Sequence, residues 1–125
     1  MSYESRVYIV NVIRENDPKS EDYGKARAAE IISQFNLSSM GYNNGWRELF
    51  NKPIDFEIYA EDGDVATSED KYGAHLQAGD LGAIIDWLEA WPDTRTYRRI
   101  PPFLAALNAI NPGEWDELKI VHYGY

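Results

Sequence analysis

Val7-Tyr8-Ile9-Val10-Asn11-Val12-Ile13 is the stretch on which the fold turns. Its β-branched and aromatic side chains are those that strands favour. Both alternating sets are apolar except at Asn11, which predicts a central strand covered on two faces. Asn16-Asp17-Pro18 then signals a turn. Ala28, Ile31, Ile32 and Phe35 recur at helical spacing, and Glu21 and Asp22 suit a helix N-terminus behind Ser20 as cap. A helix is expected from about Glu21 to Phe35.

Farther along, Ser38 to Asn44 reads as a polar loop and Trp46 to Phe50 as a short helical turn. Ile54, Phe56 and Ile58 alternate with Asp55, Glu57 and Tyr59, the period of a half-buried strand. Asp62-Gly63 signals a hairpin, with Asp64 to Ser68 returning. Glu69 to Gly79 reads as a loop. Asp80 caps a predicted helix with Leu81, Ile84, Ile85, Leu88 and Trp91 on one side, and Pro92 ends it. Pro101-Pro102 opens another helix through Ile110. After the turn Asn111-Pro112-Gly113, Leu118 to Tyr123 alternates as a last strand. The order β-α-β-β-α-α-β predicts an α+β fold, a mostly antiparallel sheet of about four strands with helices packed on one face.

The 125 residues fit a single globular domain, 1–125. Four Trp, nine Tyr and four Phe supply large apolar surfaces for a core. With no cysteine, disulfides, thiolate nucleophiles and zinc–thiolate sites are excluded, and a cytoplasmic location is expected. The N-terminal stretch lacks a basic region before its apolar run and does not read as a secretory signal. No run approaches the ~18 apolar residues of a membrane span.

Charge is segregated along the chain. Eleven of the 21 acidic residues lie between Asp55 and Asp93, where Lys71 is the only base, so this stretch carries nearly all of the net −9. Such a surface repels phosphate and anionic lipid and attracts a basic partner. Its carboxylates, from the hairpin and from the helix after Asp80, are candidates to stand in for phosphates in the basic groove of a nucleic-acid-handling protein. The plainer alternative is a solvated acidic face. Tyr59, Tyr72, Tyr123 and Tyr125 are expected to point outward as interface anchors, and Trp46, Trp87 and Trp91 to pack in the core. The basic cluster Arg95, Arg98 and Arg99 is expected to pair internally with the acidic hairpin.

Catalytic and metal motifs are missing from the sequence. Glu61-Asp62-Gly63-Asp64 fails the EF-hand template because Ile58 stands where the first ligand belongs. There is no P-loop, G-x-S-x-G, G-x-G-x-x-G or H-E-x-x-H. His75 and His122 are the only histidines and fall in separate elements. A small, acidic, cysteine-free, Tyr- and Trp-rich α+β chain without a catalytic motif resembles immunity proteins and phage-encoded anti-defence proteins. That resemblance is one of composition; it implies an inhibitor of a basic site and transfers no residue roles.

The expected function is therefore non-enzymatic: an acidic, DNA-mimic-like inhibitor without cofactor or metal. Its partner would be a basic protein such as a nuclease toxin or defence effector, with no direct contact to nucleic acid or membrane. Asp55, Glu57, Glu61, Asp62, Asp64, Glu69 and Asp70 would steer and dock it, with Tyr59 and Tyr72 as anchors. One alternative is an assembly protein that self-associates through exposed aromatics and the terminal strand. Another is a small enzyme using His75.

Overall fold

The computed structural model describes residues 5–37, 45–60, 66–70, 72–92 and 97–124. Ser5–Arg14 forms β1, Ala26–Asn36 β2, Phe50–Pro53 β3, Gln77–Gly79 β4 and Leu118–Gly124 β5, with helices α1 at Leu81–Ala90 and α2 at Ile100–Ala109. The five strands make an antiparallel sheet in the order β2-β1-β5-β4-β3. The predicted class holds, with one strand more than expected. β1 lies between β2 and β5, as its two apolar faces require. Asn11, its one polar interruption, is buried but satisfied: it donates to Asp116 Oδ2 at 3.0 Å and accepts the Glu117 backbone N–H at 3.1 Å.

Each face of the sheet has its own core. Val7, Ile9 and Ile120 face Ile84 and Leu88 of α1 and Ile100, Phe103 and Leu107 of α2. Trp46, fully buried, sits in this layer between Phe50, Trp87 and Phe103. Tyr8, Val10, Val12, Val121 and Tyr123 face the other way and are covered by Ile54, Phe56, Ile58 and Ala60. Both helices therefore lie on one face and an extended arm on the other. Each fully buried Leu or Ile contributes roughly 1.5–3 kcal/mol, so neither layer is dispensable.

The segment from Glu21 to Phe35 departs from expectation. It forms β2 rather than a helix, preceded by turns in which Ser20 Oγ accepts from the Asp22 backbone N–H. The register shifts where Ile9–Val10 faces Ser33 and Ile31, leaving Ile32 as an extra residue. Ala29 and Ile31 pack on the arm side; beyond the bulge, Ile32 and Phe35 pack on the helix side. A bulge that switches the buried face places apolar residues three and four apart, which imitates a helical stripe. Two further strands, β3 and β4, arise where a turn end and a loop were expected. They are only four and three residues long, below the length at which alternation is legible.

The later elements match the sequence closely. Asp80 caps α1, accepting the Ala83 N–H at 2.9 Å, and the helix ends at Trp91, before Pro92. Proline occupies the first turn of α2. Gly79 sits where β4 passes under α1. A Cβ there would lie 2.8 Å from the Leu49 carbonyl oxygen and 3.0 Å from Ile84 Cδ1 and Phe50 Cδ1, so only glycine allows the approach.

Candidate functional site

The acidic stretch is divided by the sheet. α1, which carries Asp86 and Glu89 on its exposed side, belongs to the helix layer, whereas Ile54, Phe56, Ile58, Ala60 and Leu76 pack on the opposite face. Asp86 and Glu89 therefore belong to the opposite layer from Asp55 and Glu57. The sequence had grouped these helix acids with the acids of the arm.

The arm alternates as predicted. Ile54, Phe56, Ile58 and Ala60 are buried, while Asp55, Glu57 and Tyr59 point outward. It is not a regular two-stranded hairpin: one bridge, Ile58 to Thr67, joins its two limbs, and a second links Glu69 to His75. Between Glu69 and His75 the chain turns through Gly73, whose φ of +84° favours glycine. The expected turn at Asp62-Gly63, with Glu61 and Asp64, lies outside the described residues.

The carboxylates of the arm divide by role. Asp55 is tied down: Arg14 reaches it with both Nη atoms, at 2.8 and 2.9 Å. The same guanidinium binds Glu117 through Nε at 3.0 Å and Nη2 at 2.7 Å. Hydrogen bonds from Arg14 hold both carboxyls below their ordinary titration range and push the guanidinium upward. This three-membered ion cluster anchors the arm to β1 and to the approach to β5. Asp70 is also structural, since its Oδ1 accepts the backbone N–H of Tyr72 and of Ala74. Glu57 and Glu69 are exposed, and their carboxylates make no hydrogen bond or ion pair among the described residues. Tyr59 and Tyr72 stand beside them, 55% and 71% exposed.

Other sequence expectations resolve differently. Tyr123, expected outward, is buried against Tyr8, because β5 is an inner strand rather than a terminal edge. Tyr125 lies outside the described residues. Self-association through the terminal strand thus finds no open edge, since β5 pairs with β1 and β4. Trp46 is core as expected. Trp87 and Trp91 are only partly buried, and with Tyr97 they stack in series at 5.3 and 5.2 Å. Arg99 donates to the Asn36 carbonyl at the end of β2 and Arg98 is exposed, so Arg14, which sequence reasoning passed over, provides the described neutralisation of the arm. Arg95 lies outside the described residues.

The two histidines, 47 positions apart, line one cleft between the Asp70–His75 loop, Arg47 and the end of β5. His75 Nε2 lies 2.7 Å from the Ile54 carbonyl oxygen. His122 is buried, with Nε2 2.8 Å from Ser5 Oγ, and Ser5 Oγ also accepts Trp46 Nε1–H at 3.1 Å. A serine–histidine contact of this length would suit a nucleophile and its base. Ser5 is 0% exposed, however, so that oxygen serves to satisfy buried polar groups. Desolvation, with the Arg47 charge second, pushes the His122 imidazole down to about 3.

Among the described residues no group of three or more His, Cys, Asp or Glu side chains is arranged to hold a metal ion. Among the described residues no helix is long and apolar enough to cross a membrane. No protein-family model, curated protein or solved structure matches the chain.

Proposed function

We propose that this protein is a non-enzymatic binding protein whose acidic arm occupies the basic surface of a nucleic-acid-handling partner, such as a nuclease toxin or a defence effector. The observation that carries this reading is the composition of the arm's outer side. Two carboxylates without internal partners among the described residues, Glu57 and Glu69, stand beside two tyrosines, Tyr59 and Tyr72, that are more than half exposed. Exposed tyrosines combine apolar area with a hydrogen-bonding tip, the composition of interface anchors. Unpaired carboxylates retain their full long-range attraction for a cationic surface. Asp55 and Asp70 hold the arm in place, while Glu61, Asp62 and Asp64 add charge to the same stretch.

The test is association kinetics against purified basic nucleases and defence effectors across a salt series. Charge reversal by Glu57→Lys with Glu69→Lys leaves Ile54, Phe56 and Ile58 untouched. It should slow association with the cognate partner by roughly tenfold or more and flatten its salt dependence, with a smaller change in dissociation. Tyr59→Ala with Tyr72→Ala should instead shorten the lifetime of the complex. Folded variants with wild-type rates and salt slope would reduce the acidic arm to a solvated face.

A further inference from the structure

β2 is an edge strand: it pairs with β1, and among the described residues no strand pairs with its outer side. Which of its backbone groups face outward follows from the register. The Val12 N–H donates to the Glu117 carbonyl at 2.8 Å, on the β5 side of β1. Val12 stands opposite Ala29, so these two form a non-hydrogen-bonded pair and the N–H and C=O of Ala29 point out of the sheet. Ala28 and Glu30 on either side are exposed. Farther along, the outer side is already in use, since the Asn36 carbonyl accepts from Arg99 Nη1 at 3.1 Å. Register shifts bound a regular open run of four residues, Ala28–Ile31, the length of β3 in the same sheet. Neither proline nor lysine, the residues that commonly blunt an edge, occurs in β2.

A groove of about 450 Å³ runs between this part of β2 and the arm. Its base is Ala26, Ala28 and Ala29, and its wall is Phe56, Glu57 and Tyr59. The alanine methyl groups fill little of it. Two other charged groups lining it are engaged: Asp55 by both Nη atoms of Arg14, and Arg27 by Glu15, with Nε 3.8 Å from Oε2. Glu57 is left as the uncompensated charge, beside the exposed ring of Tyr59. A strand laid along β2 projects every second side chain to the arm side, into this groove. A long cationic side chain fits its chemistry, with the aliphatic stem on the alanines and the tyrosine ring and the charged head at Glu57.

We propose that the open edge of β2 at Ala28–Ile31 takes up a short extended segment of the basic partner as a sixth strand, with an arginine or lysine of that segment seated in the groove against Glu57 and Tyr59. The inference rests on the acidic arm being the partner-binding surface and adds how the partner is gripped. Backbone pairing supplies the affinity and the groove selects the side chain. Charge favours this occupant over a second copy of the chain, which would bring another −9 to the interface.

The test is heteronuclear NMR on the full chain at pH 7, titrating the capped pentapeptide Val-Arg-Thr-Arg-Val. Saturable shifts are expected at the Ala29 and Glu57 amides, with half-saturation roughly in the millimolar range, and none with Val-Glu-Thr-Glu-Val. Glu57→Gln should weaken binding about threefold, whereas Glu89→Gln, on α1 in the opposite layer, should leave it unchanged. Ala29→Pro removes the outward N–H at an edge position that tolerates proline, and should abolish binding. Should Ala29→Pro not fold, Glu57→Gln decides. Linear shifts, an equal response to the acidic peptide, or wild-type affinity in either folded variant would overturn the proposal. So would a dimer in sedimentation that Ala29→Pro dissociates, which would give the edge to a second copy. Against the cognate nuclease or effector, Ala29→Pro should shorten the lifetime of the complex about fivefold and leave its association rate and salt slope unchanged. An unchanged lifetime, with association still slowed by Glu57→Lys with Glu69→Lys, would overturn the added strand and keep the arm. Wild-type kinetics in both variants would overturn both.

Discussion

Lowering the pH from 7.5 to 5 should cost this fold about 2 kcal/mol through His122 alone. Burial moves its imidazole from 6.5 to about 3, so the folded ring stays neutral at pH 5. In the unfolded chain the same ring titrates near its ordinary value and is protonated at that pH. The unfolded state then binds more protons, and stability falls as pH falls. The stability is complete above about 6.5 and is lost steadily below it, until the folded ring itself titrates. Over about 1.5 units between 6.5 and 5, at about 1.36 kcal/mol per unit, the loss is close to 2 kcal/mol. The figure is insensitive to the folded value, provided that value stays well under 5. The assay is urea unfolding at pH 5, 6 and 7.5, for the wild type and for His122→Gln, whose amide does not titrate. Other groups also respond to pH, including the acidic surface, whose self-repulsion weakens as it protonates, so the informative quantity is the difference between the two proteins. The variant should be less stable at pH 7.5, having lost ring contacts with Phe50, and its deficit should shrink by about 2 kcal/mol at pH 5. A deficit that stays constant across the series would refute the neutral buried imidazole.

Other outcomes are equally direct. Gly79→Ala should destabilise by about 1–3 kcal/mol, because the new methyl meets the Leu49 carbonyl oxygen at 2.8 Å, and a chemical-denaturation midpoint measures it. Arg14→Ala should cost about 1 kcal/mol at neutral pH, a figure kept small because Asp55 is 67% exposed. The lowered Asp55 and Glu117 values mean that this contribution is present above their unfolded range and disappears as pH falls through the folded values, so wild type and variant should converge in acid. Duplex DNA should not bind at about 0.15 M salt, since the net charge of −9 opposes phosphate, and a gel shift in the micromolar range would contradict this.

Local chemistry is what the sequence expressed best. β1 was legible because both of its alternating sets are apolar, and α1 because Asp80 and Pro92 mark its ends around a continuous stripe. The arm's inward and outward positions followed from its period of two, and with them the exposure of Glu57 and Tyr59. All three signals come from residues close together in the chain. Tertiary structure alone decided the rest. β2 became a strand because its edge pairs with β1, and the bulge at Ile32 disguised that strand as a helical stripe. β5 became an inner strand because β4, separated from it by two helices, pairs on its far side, which buried Tyr123 and closed the terminal edge. Arg14 meets Asp55 from 41 positions away and Glu117 from 103, and this separates the carboxylates that hold the arm from those that face solvent. His75, His122 and Arg47 share a cleft only because the sheet brings the ends of three distant segments together. Periodicity records which side of an element is buried; which element does the burying is fixed by pairings between distant residues.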